Sequence, residues 1–338
     1  MIIEMQKGAT EKDIRQVVKR VKENGFDIQM NQGKEKTIVA VLGSGTESIE
    51  TQIFEVLPGV EKVIRIMKPY KLASRDFEKE NTIVEVGNVK IGGNAVVIMA
   101  GPCSVESKEQ IISCAKIGKS LGAKILRGGA FKPRTSPFAF QGLKEEGLKL
   151  LAKAKEETGL LIITEIVAPE DVPLVAEYSD ILQIGTRNMQ NYRLLEAAGK
   201  SGKPVLLKRG FSATLEEWLT AADYLLRENN PNVILCERGI RTFSNSTRFT
   251  LDLGIVPVVK KYTHLPIIVD PSHAAGHWEY VPSLSKAAIA AGADGILIEI
   301  HPQPKKALSD GPQSLTFSDF SRLMAELKLL AKAVGREI

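Results

Sequence analysis

Side chains that could bind metals or anions end eight short apolar runs in the last three-quarters of this chain. Those end residues are Cys103, Arg127, Glu165, Arg187, Lys208, Arg238, Asp270 with His273, and Glu299. A parallel strand buried on both faces reads as a continuous run of Val, Ile and Leu, and polar groups at its carboxyl end lie where barrel enzymes assemble their sites. We therefore expect these side chains to meet at one face of the protein, here called the mouth.

Three of these end residues, Cys103, His273 and Glu299, offer a thiol, an imidazole and a carboxylate, which are metal-ligand groups. Asp310, in a Ser-Asp-Gly turn soon after the last run, is placed to supply a fourth ligand. Such a mixed set fits a divalent Mn, Fe, Zn or Co ion and does not choose among them. Taken singly, each residue is more often structural, but their joint placement at run ends favours a metal site.

A second group at the expected mouth is cationic. Six side chains at or near run ends carry positive charge, namely Arg127, Lys132, Arg134, Arg187, Lys208 and Arg238. Guanidinium groups bind phosphate through two parallel hydrogen bonds, so a cluster of this size predicts binding of phosphorylated substrates. Arg209 and Arg241 do not stand at the immediate end of a run, and we interpret both as solvated rim residues.

The stretch 132–136, Lys-Pro-Arg-Thr-Ser, follows Arg127 closely. Pro133 fixes its own backbone torsion and restricts its neighbour, so Lys132 and Arg134 are presented on a stiff loop. The hydroxyls of Thr135 and Ser136 add two donors behind them. A rigid set of donors binds an anion at a lower ordering cost, although such a loop is a weak signal alone.

The spacing of the runs predicts the fold. They fall at 95–100, 124–126, 160–163, 181–184, 205–207, 233–235, 267–269 and 295–298, with helical patterns such as 110–121, 142–158, 216–227 and 317–334 between them. Residues 93–338 are close to the roughly 250 residues of a (β/α)8 TIM barrel, an α/β fold. A doubly wound open sheet is the alternative, but eight runs without G-x-G-x-x-G after the first disfavour it.

Residues 1–70 predict a small ferredoxin-like α+β domain. Strands are expected at 1–6, 27–32, 37–42 and 60–67, with helices opening at Thr10-x-x-Asp13 and spanning 46–57, which gives the order βαββαβ. Residues 71–92 then hold a linker and a β-hairpin around Gly87-Asn88, placed to plug the bottom of the barrel.

Composition describes an ordinary globular chain. Of 338 residues, 43% are apolar and 25% are charged, and the apolar stretches fall far short of the roughly 20 residues of a membrane span. Three cysteines without C-x-x-C spacing indicate a reducing compartment, so we expect a cytoplasmic protein. The net charge of +5 favours small anionic substrates over nucleic acid.

Several longer motifs are specific enough to resemble a known family. They are Gly101-Pro102-Cys103-Ser104, the stretch 127–136, Leu207-Lys208-Arg209-Gly210, Cys236-Glu237-Arg238-Gly239, Asp270-Pro271-Ser272-His273 and the stretch 307–311. Together they resemble 3-deoxy-D-arabino-heptulosonate 7-phosphate (DAHP) synthases over the whole barrel. The N-terminal region is similar to the regulatory extension of one subgroup of that family.

The resemblance implies a metal-dependent condensation of phosphoenolpyruvate with erythrose 4-phosphate, the first step of the shikimate pathway to aromatic amino acids. It makes Cys103, His273, Glu299 and Asp310 the metal ligands. It assigns phosphoenolpyruvate contacts to Arg127, Lys132, Arg187, Lys208 and Arg238, and positions around the aldose phosphate to Arg134, Thr135, Ser136 and Asp270. For the chemistry it suggests Lys132 as proton donor and Glu165 as the residue that orients water, beside the metal ligands Cys103 and His273.

The same resemblance implies feedback by an aromatic amino acid, Tyr or Phe. The barrel fold together with a regulatory module favours a homotetramer or homodimer. Three alternatives stay open. An octulosonate synthase joins the same enol phosphate to another aldose phosphate, but we would expect an Asn-Arg-Ser type loop at 133–135. A metal-dependent aldolase would not need six cations. A catalytically silent ligand sensor would not need a complete metal set.

Overall fold

The computed structural model describes residues 1–33, 36–43, 45–46, 49–65, 69–133 and 136–338. They form two compact units, which are described separately. The first contains residues 1–80 together with 262–264, and the second contains 81–261 and 265–338. Among the described residues, no helix has both the length and the apolar character that crossing a membrane requires.

The first unit has the predicted ferredoxin-like arrangement. Its elements are β1 (Ile2–Met5), α1 (Glu11–Glu23), β2 (Asp27–Gln32), β3 (Thr37–Leu42), α2 (Gln52–Glu55) and β4 (Val60–Ile64). The strands form an antiparallel sheet in the order β2-β3-β1-β4. Thr10 and Asp13 form the expected capping box at the start of α1, whose Val17 and Val21 pack on the sheet.

The predicted start of the second helix was wrong. The helix α2 begins at Gln52, whereas the sequence pattern placed its start at residue 46. Thr46 is buried in a turn, and its hydroxyl accepts a hydrogen bond from Lys71 Nζ at 3.0 Å. A tertiary contact therefore overrides local helix propensity. Glu47 and Ser48 lie outside the described residues, as do Ile66 and Met67 at the end of the strand predicted for 60–67.

The second unit is built on a closed barrel of eight parallel strands, which confirms the predicted fold class. The strands are β7 (Val97–Gly101), β8 (Ile125–Arg127), β9 (Leu161–Ile166), β10 (Ile181–Ile184), β11 (Val205–Lys208), β12 (Val233–Glu237), β13 (Ile267–Val269) and β14 (Gly295–Glu299). The helices are α3 (Lys108–Leu121), α4 (Glu145–Thr158), α5 (Val172–Tyr178), α6 (Tyr192–Lys200), α7 (Leu215–Arg227), α8 (Ile255–Tyr262), α9 (Pro271–Ala275), α10 (Val281–Ala290) and α11 (Phe317–Ala333). Each predicted run matches one strand to within a few residues.

A two-stranded hairpin packs at the opposite end of the barrel from the mouth. Its strands are β5 (Val84–Val86) and β6 (Val89–Ile91), paired antiparallel. Their apolar side chains share one buried cluster with barrel-interior residues near the amino ends of the strands, including Val97, Ile125 and Ile181. We call this the closed end; the hairpin fills it with hydrocarbon and leaves the mouth as the place for chemistry.

Candidate active site

Four potential metal ligands from distant parts of the chain meet at the mouth. One donor atom each from Cys103, His273, Glu299 and Asp310 lies within 4.8 Å of all the others. Cys103 follows β7, Glu299 is the last residue of β14, and His273 is on α9 directly after β13. Because these strands are neighbours in the closed sheet, their ends bring the donors together.

Asp270 orients the imidazole of His273. Its Oδ1 accepts the His273 backbone N–H at 3.0 Å, and its Oδ2 lies 2.7 Å from Nδ1. The other ring nitrogen, Nε2, lies 3.5 Å from Glu299 Oε1 and 3.8 Å from Asp310 Oδ2. Burial lowers the pKa of His273, so the imidazole is held in the neutral form that binds metals.

The Cys103 thiol is buried beside a cation. Lys132 Nζ lies 3.2 Å from the sulfur and donates to the Cys103 carbonyl at 3.1 Å. Burial, together with the negative charge of Glu299, raises the pKa of the thiol to about 11, and Lys132 opposes that rise. The lysine stem runs against Gly129, where a Cβ would come within 2.7 Å of Lys132 Cδ, so a glycine is required for this approach.

Asp310 is carried by a constrained loop after β14. Its backbone is left-handed, with φ of 51°, and the Ser309 hydroxyl lies 3.2 Å from the Cys103 sulfur. Although burial acts against ionisation, the neighbouring His273 and Arg248 lower the pKa of Asp310 to about 2. The carboxylate therefore stays ionised and available as a ligand.

Glu106 is not one of the four potential metal ligands, but it connects the loop of Asp310 to the loop of Cys103 by hydrogen bonds. Glu106 Oε1 accepts the Leu308 N–H at 2.9 Å and the Ser104 hydroxyl at 3.1 Å. Its other oxygen lies 3.4 Å from Nε2 of the buried His301. Glu106 thus connects the two segments that carry Cys103 and Asp310.

A cavity of about 340 Å³ opens beside the ligand cluster, and six Lys and Arg side chains are among the residues that line it. Arg187, Lys208 and Arg238 line it, and Arg238 lies over the Phe249 ring at 4.1 Å from the centroid. Burial lowers the pKa of Arg238 to about 10, so the group remains charged near neutral pH. The cavity is therefore a binding place for anions.

Glu165 is the carboxylate that faces this cavity from β9. Gln183 Nε2 donates to it at 3.4 Å, and a Cβ on Gly185 would come within 1.9 Å of its Oε1. The glycine and the amide together fix the carboxylate toward the lumen, and all three residues line the cavity.

The structure sorts the predicted site residues into two layers. Those that line the cavity are Lys132, Ser136, Glu165, Arg187, Lys208, Arg238, His273 and Asp310. Those that lie beneath it are Cys103, Arg127, Asp270 and Glu299, with Arg127 NH1 2.7 Å from Glu299 Oε1 and Asp270 Oδ2 2.6 Å from Lys208 Nζ. Arg134 and Thr135 lie outside the described residues.

The structure also changes the interpretation of two arginines and adds a third. Arg209 is not a rim residue, since it is buried and paired with Glu237 and Asp252 at 2.9 Å each. Arg241 is exposed as expected but lines the cavity over Phe211. Arg248, which sequence reasoning missed, lines the cavity and lies 3.3 Å from Asp310 Oδ1. It lies in the long loop between β12 and α8, well past the end of the strand, so strand endings carried no signal for it.

The mouth therefore combines an electrophilic half and an anion-binding half. The ligand cluster can hold a divalent cation, and the adjoining cavity can hold a small molecule with more than one negative group. Their shared wall, formed by Lys132, His273 and Asp310, allows a bound carbonyl and a bound anion to be neighbours.

Comparison with known proteins gives consistent matches over both units. The DAHP synthetase I family profile matches residues 72–334, and the DAHP synthase ferredoxin-like domain profile matches residues 1–68. Phospho-2-dehydro-3-deoxyheptonate aldolase of Thermotoga maritima is 50% identical over 338 residues, which covers 100% of both chains. The 2-dehydro-3-deoxyphosphooctonate aldolase of Citrifermentans bemidjiense is 34% identical over 75% of this chain and 98% of its own.

Solved structures agree with these matches. The crystal structure of the Thermotoga maritima DAHP synthase superposes with a TM-score of 0.80, covering 99% of this chain and 98% of that chain. A truncated form of the Thermotoga maritima synthase superposes with a TM-score of 0.75 and covers 80% of this chain and 99% of its own.

Proposed function

This chain belongs to the DAHP synthetase I family, and from that membership we propose that it condenses phosphoenolpyruvate with erythrose 4-phosphate and water. The products are 3-deoxy-D-arabino-heptulosonate 7-phosphate and inorganic phosphate. The observation that carries the proposal is the junction of a four-donor cluster with a cavity lined by cations. An aldol-type union of two phosphorylated substrates needs both parts.

The donor set fits a divalent metal ion. Cys103, His273, Glu299 and Asp310 converge, the imidazole is neutral, and one carboxylate is held ionised. These four residues would hold the ion, whose identity among Mn, Fe, Zn and Co the donors do not select. When bound, the ion supplies a Lewis acid that polarises the aldehyde of the sugar phosphate.

The remaining residues hold and orient the substrates. Arg187, Lys208 and Arg238 bind the carboxylate and phosphate of phosphoenolpyruvate, which converts a bimolecular encounter into an oriented one. The buried Nε atoms of Arg127 and Arg238 have no hydrogen-bond partner within the described ranges, so both guanidinium groups keep unused donor capacity. Ser136, an exposed residue that lines the cavity, is assigned to the aldose phosphate.

Bond changes follow from that arrangement. The methylene carbon of the enol phosphate bonds to the aldehyde carbon, and Lys132 donates a proton to the alkoxide that forms. Water, oriented by Glu165, then adds to the former enol carbon and releases one proton. The bond between that carbon and the phosphate oxygen breaks as the new hydroxyl loses its proton, which leaves the ketone and inorganic phosphate. Both assignments are supported by position, since Lys132 and Glu165 line the same cavity.

The assay that tests the proposal measures loss of phosphoenolpyruvate absorbance with two aldose phosphates. Phosphoenolpyruvate brings three carbons, so the seven-carbon product requires a four-carbon aldose phosphate, and an octulosonate would require a five-carbon one. We expect rapid consumption with the four-carbon sugar and at least tenfold slower consumption with the five-carbon sugar. The reverse preference would assign the octulosonate reaction, and no consumption with either would indicate a silent sensor.

The N-terminal unit is proposed to make this activity responsive to an aromatic amino acid, Tyr or Phe, to whose synthesis the shikimate pathway leads. We also propose a cytoplasmic homotetramer or homodimer. The comparison of full-length protein with a form lacking residues 1–70 tests the regulation. The shortened protein should stay active and lose inhibition by Tyr or Phe; a full-length enzyme that ignores both amino acids would refute the regulatory role.

A further inference from the structure

A buried ion pair lies directly behind the anion-binding wall of the mouth. Arg209 and Glu237 have NH1 and Oε2 2.9 Å apart, and the Glu237 side chain is fully shielded from solvent. Each residue is the chain neighbour of a cavity-lining cation, because Arg209 follows Lys208 and Glu237 precedes Arg238. The two strands concerned, β11 and β12, are paired side by side.

Strand alternation sets the ion pair on the far side of the sheet from the cavity. Leu206, Ile234 and Cys236 belong to the barrel-interior cluster, so Lys208 and Arg238 continue that inward series. Arg209 and Glu237 have the opposite parity and point to the helix layer. There the Arg209 guanidinium lies 5.8 Å from the Trp218 ring centroid on α7.

Each member of the pair is anchored at a second point close to a cavity residue. Glu237 Oε1 accepts the Gly239 N–H at 2.6 Å, which fixes the backbone on the far side of Arg238. Arg209 Nε donates to the Ala213 carbonyl at 2.9 Å, and NH1 reaches Asp252 at 2.9 Å. Trp218 Nε1 donates to the Leu207 carbonyl at 3.2 Å, on the near side of Lys208. These hydrogen bonds therefore hold the backbone beside both Lys208 and Arg238, from the side of the sheet that faces the helices.

Stability alone is a poor reason for this network. A buried ion pair recovers its desolvation cost only with good geometry, and well-packed apolar replacements are often as stable. A role in setting geometry accounts for its place. We propose that Arg209 and Glu237 are positioning residues that fix the spacing of Lys208 and Arg238 for phosphoenolpyruvate. This inference rests on the proposed function, since it concerns the substrate assigned to those two cations.

The test combines substitutions that remove the charges with a direct binding measurement. The double variant Arg209→Met with Glu237→Gln keeps an acceptor for Gly239 and removes the ion pair. Phosphoenolpyruvate is titrated into the protein by calorimetry without the sugar phosphate, and steady-state KM values are measured for both substrates. We expect the affinity for phosphoenolpyruvate to fall about tenfold or more and its KM to rise in step, because small displacements of positioned groups have large effects. The KM for erythrose 4-phosphate should change less than about twofold, and Arg209→Lys should retain most of the wild-type affinity.

A control comes from a partly buried ion pair at the other end of the barrel. Arg336 NH2 lies 3.4 Å from Asp294 Oδ1, far along the chain from any cavity residue, and Arg336→Met should lower stability without changing the KM for phosphoenolpyruvate. Should the double variant fail to fold, Asp252→Asn loosens only the outer contact of Arg209 and should raise that KM about twofold to threefold. An unchanged affinity in folded variants would overturn the positioning role. Failure of the wild-type protein to bind phosphoenolpyruvate would instead refute the proposed function.

Discussion

The two ends of the same barrel differ in what they bury. At the closed end, Val84, Val86, Val89 and Ile91 pack against the amino ends of the strands, and the interior is hydrocarbon. At the mouth, the carboxyl ends bury carboxylates, guanidinium groups and an ammonium group in contact with one another. Burial of apolar area stabilises the fold. Burial of charged groups carries a desolvation cost, so we expect buried charges mainly where ligand binding requires them.

That contrast implies that the amino ends of the strands serve stability and that their carboxyl ends serve binding. Substitutions at the closed end should change the free energy of unfolding and leave substrate constants alone. Substitutions at the mouth should change metal or substrate binding more than stability.

Removal of a metal ligand at the mouth should have the largest effect. Cys103→Ala should lower turnover by about a thousandfold or more, because the thiol is one of the four donors proposed to hold the ion that polarises the aldehyde. Cys114→Ala, which empties a buried site on α3, is the matched control and should keep most activity. Full activity of Cys103→Ala with added metal would remove this residue from the ligand set.

A core truncation at the closed end should come next. Ile91→Ala should reduce the free energy of unfolding by about 2–4 kcal/mol, since it leaves a cavity in a dry cluster. The exposed Ile83→Ala should cost less than about 1 kcal/mol. Unfolding in denaturant measures the stability of both variants. A changed KM for phosphoenolpyruvate in folded Ile91→Ala protein would contradict the separation of stability from binding between the two ends.

Glu106 offers a smaller effect at the mouth. Glu106→Gln keeps the size of the side chain but weakens its contacts to Leu308 N and His301, so the loop of Asp310 is held less firmly. Metal affinity should fall about tenfold to a hundredfold, as is usual for outer partners of metal ligands. Titration with Co²⁺, followed by the cobalt–thiolate absorption band, measures the metal affinity without turnover. An unchanged affinity would show that the loop of Asp310 keeps its shape without the contacts of Glu106.

The smallest effect is a pH dependence that arises away from the mouth. His264 precedes β13, is buried, and has Nε2 2.9 Å from the Leu72 carbonyl. Burial lowers its pKa below 6.5, so the unfolded chain takes up the proton at a higher pH than the folded protein does. Stability should therefore be fully present above about pH 6.5 and decrease as the pH falls below it.

Melting temperatures at pH 7.5 and 5.5 measure the effect of His264. The variant His264→Gln keeps a donor for the Leu72 carbonyl and does not titrate. It should lose less stability over this range than the wild-type protein, and equal losses would rule out the histidine as their source.

Sequence alone predicted the barrel and the convergence of most candidate site residues, because both follow from strand periodicity. Buried parallel strands must be continuous apolar runs, so the residues after them, such as Cys103 and His273, had to meet at one face. Arg248 and Phe249 lie far beyond the end of β12 in the loop that leads to α8, and only the folded chain shows them at the cavity. Arg209 could have been placed correctly, since alternation along β11 sets it on the opposite side from Lys208.

Tertiary contacts account for the remaining differences. The turn at Thr46 contacts Lys71, a residue 25 positions away, and no local sequence pattern predicts that contact. The link between Glu106 and Leu308 spans 202 positions, and it explains why a constrained Asp310 stays beside Cys103.

One carboxylate, Asp270, joins both halves of the mouth, since its Oδ2 lies 2.6 Å from Lys208 Nζ and 2.7 Å from His273 Nδ1. A change on either side alters the charge balance felt by the other, so costs measured separately will not sum. A substitution that alters the cation affinity of the ligand cluster is therefore expected to alter anion binding in the cavity as well. A change of Asp270 itself should disturb both at once.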